Sequence, residues 1–195
     1  MDTRIAWNEA HWLNEPSRTE IEGDDLVVFT EERTDFWRTT SYGFVRDSGH
    51  ALLVDFPLGS SIEVTYESDF EAAFDQAGVM VRADAQNWVK AGVELSDGVP
   101  QLGAVATRDV SDWSMAPAPE WTRCSITVRA SRSGDALTIR ARKDDGPWQM
   151  VRVTPLDPRL AATAGPFCCS PSRAGLKVRF TRFVRGPADA SLHDD

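Results

Sequence analysis

Alternation of apolar and polar residues at a period of two runs through most of this chain and confines it to sheet architectures. In 122–129, Cys124, Ile126 and Val128 fall on one side, and Arg123, Ser125, Thr127 and Arg129 on the other. Successive side chains of a strand point to opposite faces, so this pattern predicts a strand with Cys124, Ile126 and Val128 in the core. Residues 136–140 repeat the pattern with Leu137 and Ile139 inward, as do 176–180 with Leu176, Val178 and Phe180. Ser131-Arg132-Ser133-Gly134-Asp135 reads as a hairpin turn, and Asp144-Asp145-Gly146-Pro147 leads into a strand at 148–153. These four elements read as an antiparallel meander.

Further strands are expected at 18–22, 25–31, 50–56, 61–68, 76–84, 87–95, 101–108 and 166–170, punctuated by Gly23-Asp24-Asp25, Asp47-Ser48-Gly49 and Asp97-Gly98. Short helical turns are expected near 8–13, 70–74 and 155–160, and no long amphipathic helix is present. About eleven strands without helices specify an all-β, two-sheet antiparallel sandwich. Residues 1–185 read as one domain. Residues 186–195 read as a flexible acidic tail with little apolar surface to bury.

Charge narrows the partners. The net charge of −9 repels phosphate, which argues against nucleic acid and anionic membrane. Arg179, Arg182 and Arg185 recur at strand-like spacing and read as a solvated strand face. The chain opens without a basic-then-apolar leader, and no apolar run approaches the ~20 residues of a membrane span, so a cytoplasmic location is expected. The three cysteines, Cys124, Cys168 and Cys169, form no CxxC pair, and Cys168 and Cys169 should point to opposite faces of a strand. His11, His50 and His193 lack metal-ligand spacing. Neither metal nor cofactor is expected, and no residue is assigned as catalytic.

The centre of the chain carries the best candidate chemistry. In 76–82, Ala77, Val79 and Val81 share one face, and Gln76, Gly78, Met80 and Arg82 the other. In 87–95, Val89, Ala91 and Val93 oppose Trp88, Lys90, Gly92 and Glu94. Paired as a hairpin, the strands place Gln76, Arg82, Lys90 and Glu94 on one surface, where the glycines would leave room for a ligand. Ser111-Asp112-Trp113-Ser114 and 35–43, with Trp37 and Tyr42, read as polar loops carrying aromatic rings. Such rings stack on the C–H faces of sugars while carboxylates and amides bind hydroxyls. A glycosidase needs two carboxyls ~5–9.5 Å apart. Glu63 and Glu67 share a strand face but lie ~13 Å apart along it. Sandwich glucanases use glutamates at this spacing with an aspartate between, where this chain has Thr65.

Seven segments in order, Trp12-Leu13-Asn14-Glu15-Pro16, Thr34-Asp35-Phe36-Trp37, Tyr42-Gly43, Asp75-Gln76-Ala77-Gly78, Trp88 to Glu94, Ser111-Asp112-Trp113-Ser114 and Cys169-Ser170-Pro171, resemble a domain family of unknown function that includes the fungal regulation-of-enolase protein. The resemblance covers about residues 5 to 184. It implies a concanavalin A-like (jelly-roll) sandwich, similar in fold to the lectins and glucanases of that class, with the motif residues gathered in one region. It implies no catalytic residues.

The leading expectation is therefore a ligand-binding module for a carbohydrate or related polyol. Trp37 and Trp113 would stack on the ligand, and Tyr42, Gln76, Arg82, Lys90, Glu94 and Asp112 would line the site. One alternative is a sugar-active enzyme using Glu94 or the Glu63/Glu67 pair. Another is a regulatory protein that binds a metabolic enzyme through an outer sheet face, with a homodimer also compatible with the sequence.

Overall fold

The computed structural model describes residues 2–193. In chain order its strands are β1 (Thr3–Arg4), β2 (His11–Leu13), β3 (Arg18–Glu22), β4 (Asp25–Phe29), β5 (Phe36–Arg38), β6 (Val45–Asp47), β7 (His50–Asp55), β8 (Ser60–Ser68) and β9 (Gln76–Arg82). They continue with β10 (Asn87–Ser96), β11 (Val99–Arg108), β12 (Val110–Pro117), β13 (Ile126–Ser133), β14 (Ala136–Lys143), β15 (Gln149–Pro155), β16 (Thr163–Cys169) and β17 (Lys177–Pro187). Two antiparallel sheets result. One runs β15-β14-β13-β8-β17-β4-β3, with β1 added beside β17, and the other runs β12-β11-β10-β9-β16-β7-β2. The fold is an all-β jelly-roll sandwich.

The core follows the alternation. Ile126, Val128 and Ala130 from β13 and Leu137, Ile139 and Ala141 from β14 face Ala77, Val79 and Val81 from β9 and Val89, Ala91 and Val93 from β10. Tyr66 is fully buried in this layer and its hydroxyl accepts the Val93 N–H at 3.1 Å, tying the two sheets together. A second apolar layer lies on the opposite face of the seven-stranded sheet. There Phe36 and Trp37 from β5 cover Met80, Trp88, Val105 and Phe167. The short β5–β6 ribbon is thus a cap over the sheet's outer face rather than a part of either sheet.

Several expectations are corrected. The meander holds for β13, β14 and β15, but the fourth element, β17, inserts between β8 and β4. It does so because β16 crosses to the other sheet first. A single 3₁₀ turn at Trp7–Glu9 is followed directly by β2, and 70–74 and 155–160 form turns, not helices. Ser111 to Ser114 belongs to β12 rather than to a loop. Cys124 precedes β13 and is half-buried against the edge of the core, whereas Cys168 and Cys169 are buried on opposite faces of β16. Desolvation holds both β16 thiols above the ordinary range. Among the described residues no helix is long and apolar enough to cross a membrane.

The expected boundary at 185/186 falls inside β17. Beyond it, Asp189 forms ion pairs with Arg129 at 2.8 Å and with Arg140, and its N–H donates to Ser131 Oγ at 2.8 Å. The Arg140 guanidinium also donates to the Leu192 carbonyl at 2.7 Å. The rest of the expected tail, 194–195, lies outside the described residues. Charge, not apolar area, docks this segment, which is why its composition was misleading. Deleting residues 188–195 is expected to cost about 1–2 kcal/mol, since Asp189 bridges two partly shielded arginines. An unchanged urea midpoint would show that the docking contributes nothing.

Candidate functional site

The β9–β10 register places Gln76 opposite Glu94, Gly78 opposite Gly92 and Met80 opposite Lys90. Continuing across β11 and β12, Lys90 lies beside Val105 and Val105 beside Trp113, while Gly92 lies beside Gly103. The outer face therefore carries a polar row (Gln76, Glu94, Gln101), a glycine row and a mixed row (Met80, Lys90, Val105, Trp113).

Asp35, at the entry to the β5–β6 cap, leans over these rows. Its Oδ1 accepts from Lys90 Nζ at 2.8 Å and from Gln76 Nε2 at 3.4 Å, and Gln76 Nε2 also donates to the Phe74 carbonyl at 3.1 Å. Lys90 and Gln76 start from diagonal positions across the glycine row but meet at one oxygen. The glycines are also obligatory for the sheet itself. A Cβ on Gly92 would collide with the Ala77 carbonyl, and one on Gly78 with the Ala91 carbonyl. Their role in the sheet is close backbone approach.

A cavity of about 310 Å³ opens above this floor. Its polar lining is Asp35, Gln76, Lys90, Glu94 and Ser172, and its aromatic lining is Trp37, Tyr42, Phe44, Phe74 and Trp113. Lys90 is 4% exposed. Burial alone would lower its proton affinity, but the carboxylate of Asp35, with smaller contributions from Cys169 and Glu94, outweighs burial and raises it. Burial pushes Glu94 from the ordinary 4.5 up to about 7; Lys90 opposes the rise and Asp35 adds to it. Glu94 Oε1 is buried and meets no hydrogen-bond partner among the described residues.

The rings are arranged edge to face. Trp37 meets Trp113 at 5.9 Å and 84°, and Tyr42 at 5.4 Å and 69°, while Tyr42 stacks on Phe44 at 5.5 Å and 19°. Trp37 is only 6% exposed and its Nε1 donates to the Thr40 carbonyl, so it supports the wall instead of offering a face. Tyr42, Phe44, Phe74 and half-buried Trp113 supply the open rings.

Of the eight residues expected in the site, six line this cavity and two do not. Arg82 sits at the far end of β9 and forms a two-pronged pair with Asp47 at 2.8 Å. Asp112 precedes Trp113 in β12, so it projects to the other face, where Arg152 pairs with it at 2.7 Å. Glu63 lies on the other sheet, buried between Arg129 at 3.6 Å and Arg182 at 3.3 Å, while Glu67 on that sheet is exposed. That carboxyl pair is therefore remote from the cavity and its inner member is neutralised.

Asp35, Phe44 and Phe74 were missed as site residues. Asp35 precedes β5 and Phe44 lies in the β5–β6 connection, and the three-residue strands of this ribbon are too short for alternation to register. The remaining motif residues hold the frame. Asn14 Nδ2 donates to the Asp47 and Gly49 carbonyls, Ser111 Oγ accepts the Arg38 N–H at 2.9 Å, and Ser170 Oγ donates to buried Asp75 at 2.7 Å. Each of these bonds fixes the cap or the loops that bound the cavity.

Comparison with known proteins agrees with this frame. Over 188 residues the chain is 38% identical to Regulation of enolase protein 1 of Saccharomyces cerevisiae, covering 96% of this chain and 94% of that protein. A solved structure of a functionally unknown S. cerevisiae protein superposes with a TM-score of 0.90 at 36% identity, over 95% of this chain and all of that one. Lectin I-B4 of Griffonia simplicifolia matches with a TM-score of 0.56 at 12% identity, over 92% and 93% of the two chains, which places the sandwich in the concanavalin A-like fold. The model of the family described as protein of unknown function (DUF1349) matches residues 12–187, and the chain belongs to that family.

Proposed function

We propose that this protein is a binding module whose outer-face cavity takes a carbohydrate or related polyol. The observation that carries the proposal is the meeting, in one cavity, of open aromatic rings with polar side chains, among them Glu94, whose buried Oε1 has no hydrogen-bond partner among the described residues. The rings of Trp113 and Tyr42 offer apolar faces to sugar C–H groups, and Lys90, Gln76 and Glu94 offer donors and acceptors to hydroxyls. The volume falls at the lower end of the ~300–1,000 Å³ usual for small-molecule sites, which suits one or two sugar rings.

A glycan array read alongside tryptophan fluorescence tests the proposal, since Trp113 borders the cavity. Trp113→Ala is expected to weaken binding of any sugar found by roughly five- to a hundredfold, the equivalent of about 1–3 kcal/mol of stacked aromatic area. Undiminished affinity would remove Trp113 from the site, and an array without hits would remove the carbohydrate proposal.

A second reading, an enzyme acting on sugars, is favoured by the presence of Glu94, whose carboxyl holds its proton near neutrality, beside Asp35. A carboxyl that holds its proton near neutrality suits general acid–base chemistry. Release of reducing sugar, abolished by Glu94→Gln, would support it.

A further inference from the structure

We propose that the cavity selects a ligand carrying a protonated amine beside its hydroxyls, an amino sugar rather than a neutral or acidic one, with the amine donating to Glu94 Oε1. This inference rests on the reading of the cavity as a polyol site and specifies its ligand class.

The floor holds three charged groups, and two of them already satisfy each other. Lys90 Nζ donates to Asp35 Oδ1 at 2.8 Å. The third, Glu94, keeps a buried oxygen without a partner among the described residues. A buried polar atom left unpaired is costly, and a ligand that pairs it recovers that cost on binding. Toward the ionised carboxylate, which only accepts, the missing partner is a donor.

Charge distinguishes among donors. A ligand carboxylate would face Glu94 as a like charge, and Lys90 is already engaged by Asp35. A neutral hydroxyl would supply the hydrogen bond but would not favour the ionised form of Glu94 in a poorly solvated place. An ammonium group supplies both. The surroundings favour the same group, because Tyr42, Phe44, Phe74 and Trp113 border the cavity and the faces of aromatic rings attract cations. Burial raises the proton affinity of Glu94 more than Lys90 lowers it, so a further cation beside the carboxyl would favour its ionised form.

The test compares glucosamine, glucose, N-acetylglucosamine and glucuronate at pH 7 by titration calorimetry, with ethanolamine as an amine that carries no sugar ring. Glucosamine is expected to bind about ten- to a hundredfold more tightly than glucose, the worth of a charge-assisted hydrogen bond, and acetylation should abolish the advantage. Glu94→Gln should remove the preference while leaving the far-ultraviolet circular dichroism spectrum unchanged. Equal binding of glucose and glucosamine, both weakened by Trp113→Ala, would overturn the amine inference and leave the polyol site standing. Glu94-dependent binding of ethanolamine with no binding of any sugar would do the reverse. Tightest binding of glucuronate, or no binding of any probe, would overturn the amine inference, and the second result would count against the polyol site as well.

Discussion

Lys90→Ala is expected to lower the unfolding free energy by about 3–5 kcal/mol, the usual consequence of removing one member of a buried ion pair. Lys90 is 4% exposed, and Asp35, its partner at 2.8 Å, is 17% exposed at the side chain. Without the ammonium, Asp35 Oδ1 retains the Phe36 N–H at 2.8 Å and the long 3.4 Å contact from Gln76, and no countercharge. Glu94 also loses the cation that restrains its proton affinity. Asp35 anchors the β5–β6 cap to the sheet, so the loss should be felt as loosening of Phe36 and Trp37 over the second apolar layer. Lys90→Met separates charge from packing, because it keeps most of the buried stem and leaves the carboxylate without a countercharge. It should lose nearly as much as alanine. Combining it with Asp35→Leu should restore most of the loss, since an apolar replacement of both partners avoids the stranded charge. Urea unfolding of the three variants decides the matter. A change below about 1 kcal/mol in Lys90→Met would mean that water screens the pair as it does a surface one.

The same pair marks the limit of what the sequence discloses. Strands β9 and β10 are legible because seven or more residues alternate strictly, and the pairing of Gln76 with Glu94 and of Gly78 with Gly92 follows from a hairpin. Face assignment therefore succeeds for Gln76, Lys90 and Glu94. Exposure does not follow from face. An outer sheet face carrying lysine and glutamate looks solvated, yet a cap folded from 36–47 covers it.

That cap has little local signature. Thr39 and Ser41 adopt positive φ angles of 64° and 60°, where glycine or asparagine would have announced a turn. Its anchors are distant in sequence: Asp35 to Lys90 spans 55 residues and Arg38 to Ser111 spans 73. The strand β12 was obscured for a related reason. Asp112 and Ser114 read as loop residues, but they are exposed positions on the inner face of an edge strand, beside Ala106 and Ala104, and its outer face carries Trp113. The tail misled through composition. Asp189 brings no apolar surface, and only the placement of Arg129 and Arg140 on adjoining strands gives it a partner.

Glu94 gives the second large effect, and it appears as a dependence on pH. Its carboxyl is raised from the ordinary 4.5 to about 7 in the folded chain, by burial first and by Asp35 as a lesser contribution, against the pull of Lys90. A raised value means that the folded state binds the proton more tightly than the unfolded state does. The associated stability is fully present below about pH 4.5, falls as the pH rises through the window from 4.5 to 7, and is gone above it. Over that window the wild-type chain should lose about 3 kcal/mol that Glu94→Gln does not, at ~1.4 kcal/mol for each unit of difference. Many groups titrate in this range, so the informative quantity is the difference between the two proteins at each pH. That difference should be near zero at pH 4 and should favour Glu94→Gln by about 3 kcal/mol at pH 8. Glutamine keeps the shape and can donate a hydrogen bond, as the protonated carboxyl does. A flat difference would show that water reaches Glu94 and carries its charge at no cost. A difference of the opposite sign would show that Lys90, rather than burial, governs the carboxyl, and that the cavity floor is already neutral before any ligand arrives.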